Sequence, residues 1–229
     1  MELLASGLLP DSDAFKASGD AVKLTIDNLQ RIYVIVIALS IGEAFKQFVA
    51  ELPKTGSGDL DAPKTHWERL PALVAFMALV VPFCHGMNRH FVVAYLSTKH
   101  LTPNYGVYLL IDCAVFTIEA GMFFFLSRRL APELWHHFYA CICILMFVDA
   151  AWGAFSWYSG QLLASYWIIL DIVFGLVLAM LVWLRASAEH DWIGRTGSLK
   201  LSVVGAFLMI ARTFIDYLGG WEFYFPAVM

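Results

Sequence analysis

The chain has 229 residues, of which 60% are hydrophobic and only 15% charged, and its formal net charge at pH 7 is -4. So few charges cannot solvate a conventional globular surface, and with no basic stripe anywhere the sequence offers no footing for nucleic acid. What remains is several apolar runs of about 20 residues, each enough to cross a bilayer core about 30 Å thick.

The composition therefore predicts an all-α, polytopic integral membrane protein with the lipid bilayer as its first partner. Residues 1–30 are polar and mildly acidic, yet Phe15, Val22, Ile26 and Leu29 recur at helical spacing. That pattern predicts an amphipathic lead-in at the interface or, more plainly, an extended first helix. Met1-Glu2-Leu3-Leu4 lacks the basic region of a cleavable signal peptide.

A bundle of six transmembrane helices is expected over residues 31–218. The first covers about 31–50 and carries Glu43 with Gln47 one turn on. Residues 51–68 form the one substantial loop, broken by Pro53, Gly56-Ser57-Gly58 and Pro63, with Trp67 and Arg69 anchoring the start of the second helix. That helix, about 70–95, holds a polar, breaker-containing stretch from Pro82 to His90. The third is expected over about 106–126, the fourth over 134–157, the fifth over 162–184 and the sixth over 199–218. Residues 219–229 are left as a short aromatic tail. Trp135, Trp157, Trp167, Trp183, Trp192 and Trp221 fall near predicted ends, as an interfacial belt requires.

Basic residues set the expected orientation. Lys46, Lys54, Lys64, Arg69, Arg128, Arg129, Arg185, Arg195 and Lys200 lie on the side of the odd-numbered loops, against Lys16, Lys23, Arg31 and Lys99 on the other. The positive-inside rule then puts those loops in the cytoplasm and both termini on the non-cytoplasmic side of a plasma or inner membrane.

Depth can be read from position in such an alternating bundle. Arg89 and His90 come late in helix two, Asp149 late in helix four, Arg212 and Asp216 late in helix six, while Asp112 and Asp171 come early in helices three and five. All seven fall in one half of the membrane, with Glu43 and Glu119 near mid-depth. Asp112 and Glu119, seven apart, share a stripe; His85 and Arg89 share a face; Arg212 and Asp216, four apart, can pair within their own helix.

Arginine in hydrocarbon costs roughly 2.5 to 3.5 kcal/mol even on a lenient scale, so Arg89 demands partners. Six intramembrane carboxylates (Glu43, Asp112, Glu119, Asp149, Asp171 and Asp216) face two guanidiniums, Arg89 and Arg212, with His85 and His90 as further donors. Carboxylates left over must take a proton, bind a cation or face water. Pro82 and Gly86 fit a broken helix at a binding site, or a static kink.

Known chemistries find little support. His85 and His90 diverge by about 140° around their helix, a poor start for haem. No HExxH, G-x-S-x-G or P-loop is present, no lysine lies deep in a helix, and no helix carries regularly spaced arginines. Neither a cofactor, a metal nor a catalytic residue is expected.

Two functions stay open. In the first, a transport protein, either a small homo-oligomeric channel or a proton- or cation-coupled carrier, uses a pathway of His85, Asn88, Arg89, His90, Asp112, Glu119, Asp149 and Asp171, with Arg212, Asp216 and Glu43 as supporting ion pairs. In the second, a sensor, scaffold or effector subunit acts through a protein partner and the polar layer only holds the bundle together.

Overall fold

A computed structural model describes residues 12–50, 66–96, 105–131, 134–159, 165–187 and 195–226. Helix α1 runs Ser12–Val49, α2 Leu70–Phe91, α3 Tyr105–Ser127, α4 Trp135–Tyr158, α5 Ser165–Ser187 and α6 Arg195–Gly219, followed by one turn, α7, at Trp221–Tyr224. A 3-10 turn, His66–Arg69, leads into α2, and a π turn, Val92–Leu96, ends it. Among the described residues there is no strand, and six helices are long and apolar enough to span a bilayer, so the protein is an integral membrane protein. Most of the 51–68 loop, the connection at 102–104 and Trp192 lie outside the described residues.

The extended first helix, rather than a separate lead-in, is what the residues build: α1 is continuous from Ser12, and its spanning stretch is Asp20–Val49. Ile26, Tyr33, Ile37, Ser40 and Ala44 form its buried stripe, while Ile32, Ile35 and Leu39 stay exposed, as a lipid-facing side requires. Arg69, buried at the start of α2, donates to the carbonyls of Gln47 and Ala50, oxygens that the end of α1 leaves without helical partners.

The helices alternate in direction. α4 packs most extensively on α5, α2 on α6 and α1 on α3. Cys143 meets Gly175, and Gly153 meets Ile168, so α4 and α5 are antiparallel. Thr213 meets Ala78 and Tyr217 meets His85, so α2 and α6 are parallel. A glycine makes one close approach possible: Tyr139 lies directly on Gly205, where any Cβ would collide with its ring, and its hydroxyl donates to the Ser202 carbonyl at 2.7 Å.

One continuous hydrophobic core is filled by Phe76, Leu79, Phe123, Leu126, Phe138, Ile142 and Leu145. Trp135 belongs to that core rather than to an interfacial belt, whereas Trp67, Trp157, Trp183 and Trp221 are exposed as a belt demands.

Candidate functional site

Pro82 cannot donate to the Ala78 carbonyl, so α2 carries an unpaired acceptor in the middle of the bundle. Thr213 of α6 repairs it, its hydroxyl donating to that carbonyl at 2.5 Å. The proline position is thereby tied into the α2–α6 packing.

The first polar group is a closed knot around Asp112, which has no exposure to solvent. His90 donates to its Oδ2 at 2.7 Å, Tyr95 to the same oxygen at 2.6 Å, and Trp152 to Oδ1 at 2.8 Å. His90 and Tyr95 are five apart, a spacing that diverges on a regular helix. The π turn at Val92–Leu96 widens the coil to i→i+5 and so brings both onto one carboxylate. Phe91, Phe116 and Trp152 pack around the imidazole.

The second group centres on Arg212. Its Nε and Nη2 donate to Asp171 Oδ1 at 3.0 and 2.5 Å, its Nη1 lies 3.4 Å from Asp216 Oδ2, and Asp149 Oδ2 is 3.9 Å from Nη2. Trp167 and Tyr224 donate to Asp216 Oδ1 at 2.8 and 3.0 Å. Burial, with Asp216 beside it, pushes the Tyr224 phenol above its ordinary range, so it remains a donor at any physiological pH.

Glu119 belongs to neither group. It lies on the Asp112 stripe, has no solvent exposure, and neither carboxyl oxygen has a hydrogen-bond partner among the described residues. A buried unsatisfied carboxyl of this kind calls for an explanation. It lines a cavity of about 80 Å³, bounded also by His90, Asp149, Asp171, Arg212 and Asp216 and otherwise walled mainly by apolar and aromatic side chains. A water needs about 10–15 Å³ measured in this way, so the space holds several.

The predicted site residues are thus sorted by the structure. Glu119, His90, Asp149, Asp171, Arg212 and Asp216 converge on one cavity, with Asp112 immediately behind His90. Arg89, expected to face the carboxylates, instead donates through Nε to the Phe223 carbonyl at 2.8 Å and lies against the Phe223 ring. The cause is α7, which folds the aromatic tail back over α2 and offers a carbonyl, while among the described residues Arg89 forms no ion pair with a carboxylate. His85 sits among Tyr217, Tyr224 and Phe225, and the backbone carbonyl of Asn88 accepts from Gln30. Glu43 lies far from the cluster: it accepts from Lys46 at 3.2 Å and Gln47 at 2.8 Å, with Arg128 at 3.9 Å, at the opposite end of the bundle.

The residues that sequence reasoning passed over are Tyr95, Trp152, Trp167 and Tyr224. A buried Tyr O–H or Trp N–H needs an acceptor, and that was the available signal. Comparison of the chain with protein-family models, curated proteins and solved structures finds no match.

Proposed function

We propose that the chain is a membrane transport protein, a proton- or cation-coupled carrier whose coupling site is Glu119 with the Asp149–Arg212–Asp171 cluster. The observation that carries this reading is Glu119 itself: a fully buried carboxyl that borders the cavity together with Asp149, Asp171 and Arg212, with no hydrogen-bond donor to either oxygen among the described residues. Its needs change with its charge. Ionised, it demands a cation; protonated, it does not. Arg212 adds a second element that charge can reorganise, because it is shared among Asp171, Asp216 and, at longer range, Asp149.

A carrier fits better than an open channel through one chain. The cavity floor, at Leu79, Phe123 and Leu145, passes into the filled apolar core, which a conducting pore would have to interrupt.

Purified protein in sealed liposomes carrying an internal pH indicator tests the reading. Imposed gradients should drive proton or monovalent-cation flux, and Glu119→Gln should lower it at least tenfold. Wild-type liposomes that stay tight contradict the proposal. The saturated Asp112 knot and the repaired Ala78 carbonyl favour a second reading in one respect, because both are static packing devices. A stoichiometric partner that co-purifies, with no flux, points to the sensor, scaffold or effector role.

A further inference from the structure

We infer that the ion this site handles is a proton, carried on Asp149 as the donor to Asp171, with Glu119 holding a second proton as a neutral acid. This names the coupling ion of the proposed carrier and rests on that reading for its purpose, although the bound protons are detectable without transport.

The aspartate pair is the first reason. The side chains of Asp149 on α4 and Asp171 on α5 are hydrogen-bonded to each other. An ionised carboxylate only accepts, so a bond between the two requires a proton on one of them. Arg212 decides which. Its Nε and Nη2 both donate to Asp171 Oδ1, which holds Asp171 as the carboxylate, whereas Asp149 meets the guanidinium only at 3.9 Å. The proton therefore sits on Asp149, and it keeps two like charges from facing each other at contact distance.

The surroundings give the second reason. Glu119, Asp149, Asp171 and Asp216 border the cavity, and Arg212 is the guanidinium that borders it with them. Asp216 is provided for as an anion, accepting from Trp167 and Tyr224 and pairing with Arg212. His90, facing the space from α2, is already bound to Asp112. Glu119 has no donor among the described residues and no solvent exposure, so its charge would meet neither water nor a counter-ion, and it is held as the acid. A metal ion would need a shell of oxygen or nitrogen ligands, and among the described residues no group of three or more His, Cys, Asp or Glu side chains is arranged to hold one.

Access separates the two acids. Asp149 keeps 30% side-chain exposure and borders a space of about 80 Å³, room for several waters. When its O–H bond breaks, the proton passes to water in that space and the carboxylate left behind draws in Arg212 Nη2, now 3.9 Å away. Arg212 then bridges Asp149 and Asp171 where it had held Asp171, and return of the proton releases it.

The test is infrared difference spectroscopy of the full chain in micelles of a detergent without carbonyl groups, near neutral pH, with H2O exchanged for D2O. A protonated carboxyl has a carbonyl band that shifts on deuteration; a carboxylate has none. Two such bands are expected, a lower-frequency one from the hydrogen-bonded Asp149 and a higher one from Glu119, and the Asp149 band should shift first because that side chain reaches the cavity. Asp149→Asn should abolish the first band and Glu119→Gln the second. The wild type decides the matter if a variant fails to fold: both bands should persist when Na⁺ or K⁺ is added. Absence of any deuteration-sensitive acid band in the wild type, survival of both bands in the folded variants, or their loss on adding either cation overturns the inference. Both bands without any flux in liposomes sink the transport reading alone; Na⁺ or K⁺ flux without acid bands sinks this inference alone.

Discussion

Asp112 and Glu119 occupy the same stripe of α3, two turns apart, and both are fully buried. Around Asp112, three donors from α2, its π turn and α4 converge on two oxygens. Around Glu119 there are none among the described residues. Identical functional groups on one helix face therefore have opposite roles: the first is satisfied by the protein and holds three segments together, and the second is left for something the protein does not supply. The comparison teaches that an intramembrane charge is informative only once its donors have been assigned, because satisfied clusters act as glue.

The largest expected effect lies in the Arg212 group. Arg212→Met removes the cation shared by Asp171 and Asp216 and leaves buried carboxylates unpaired, at a cost of about 3–5 kcal/mol. Unfolding followed by circular dichroism in mixed micelles should show it. Asp112→Leu comes next: the His90, Tyr95 and Trp152 donors lose their acceptor at once, and with the neighbours relaxing around them the loss is about 1–3 kcal/mol in all. A variant as stable as the wild type would erase the difference between Asp112 and Glu119.

Thr213→Val is a smaller change. It removes the hydroxyl that repairs the Ala78 carbonyl, for about 1 kcal/mol, in the range of polar contacts inside membrane bundles. In the background of Pro82→Ala, which restores a backbone donor to that carbonyl, the same substitution should cost close to nothing. A double-mutant cycle measures that coupling directly, and strict additivity would detach the threonine from the proline.

Much of this arrangement is legible in the sequence. The six spans follow from hydropathy, the shared depth of Asp112, Asp149, Asp171, Arg212 and Asp216 from alternating helix direction, and the Arg212–Asp216 pair from its spacing of four. What could not be read depends on local departures from regular geometry. His90 and Tyr95 reach one carboxylate only because a π turn replaces the α-helical step, and no single residue in Val92–Leu96 announces that change. Arg89 finds a carbonyl because α7 turns the tail back onto α2, a long-range contact with no periodic signature. Trp152 and Trp167 have the composition of interfacial residues, and only their neighbours reveal them as donors to Asp112 and Asp216.

The smallest expected effect on stability is also the most decisive. Glu119→Gln and Asp112→Asn, each replacing a carboxylate by its neutral amide, should be unfolded side by side in the same micelles. Asp112→Asn should lower the unfolding midpoint markedly, because the amide nitrogen cannot accept the donors now aimed at the carboxylate, whereas Glu119→Gln should leave the midpoint unchanged or raise it. A loss of stability in Glu119→Gln as large as that in Asp112→Asn would contradict the account, since it would mean that the protein itself already satisfies Glu119.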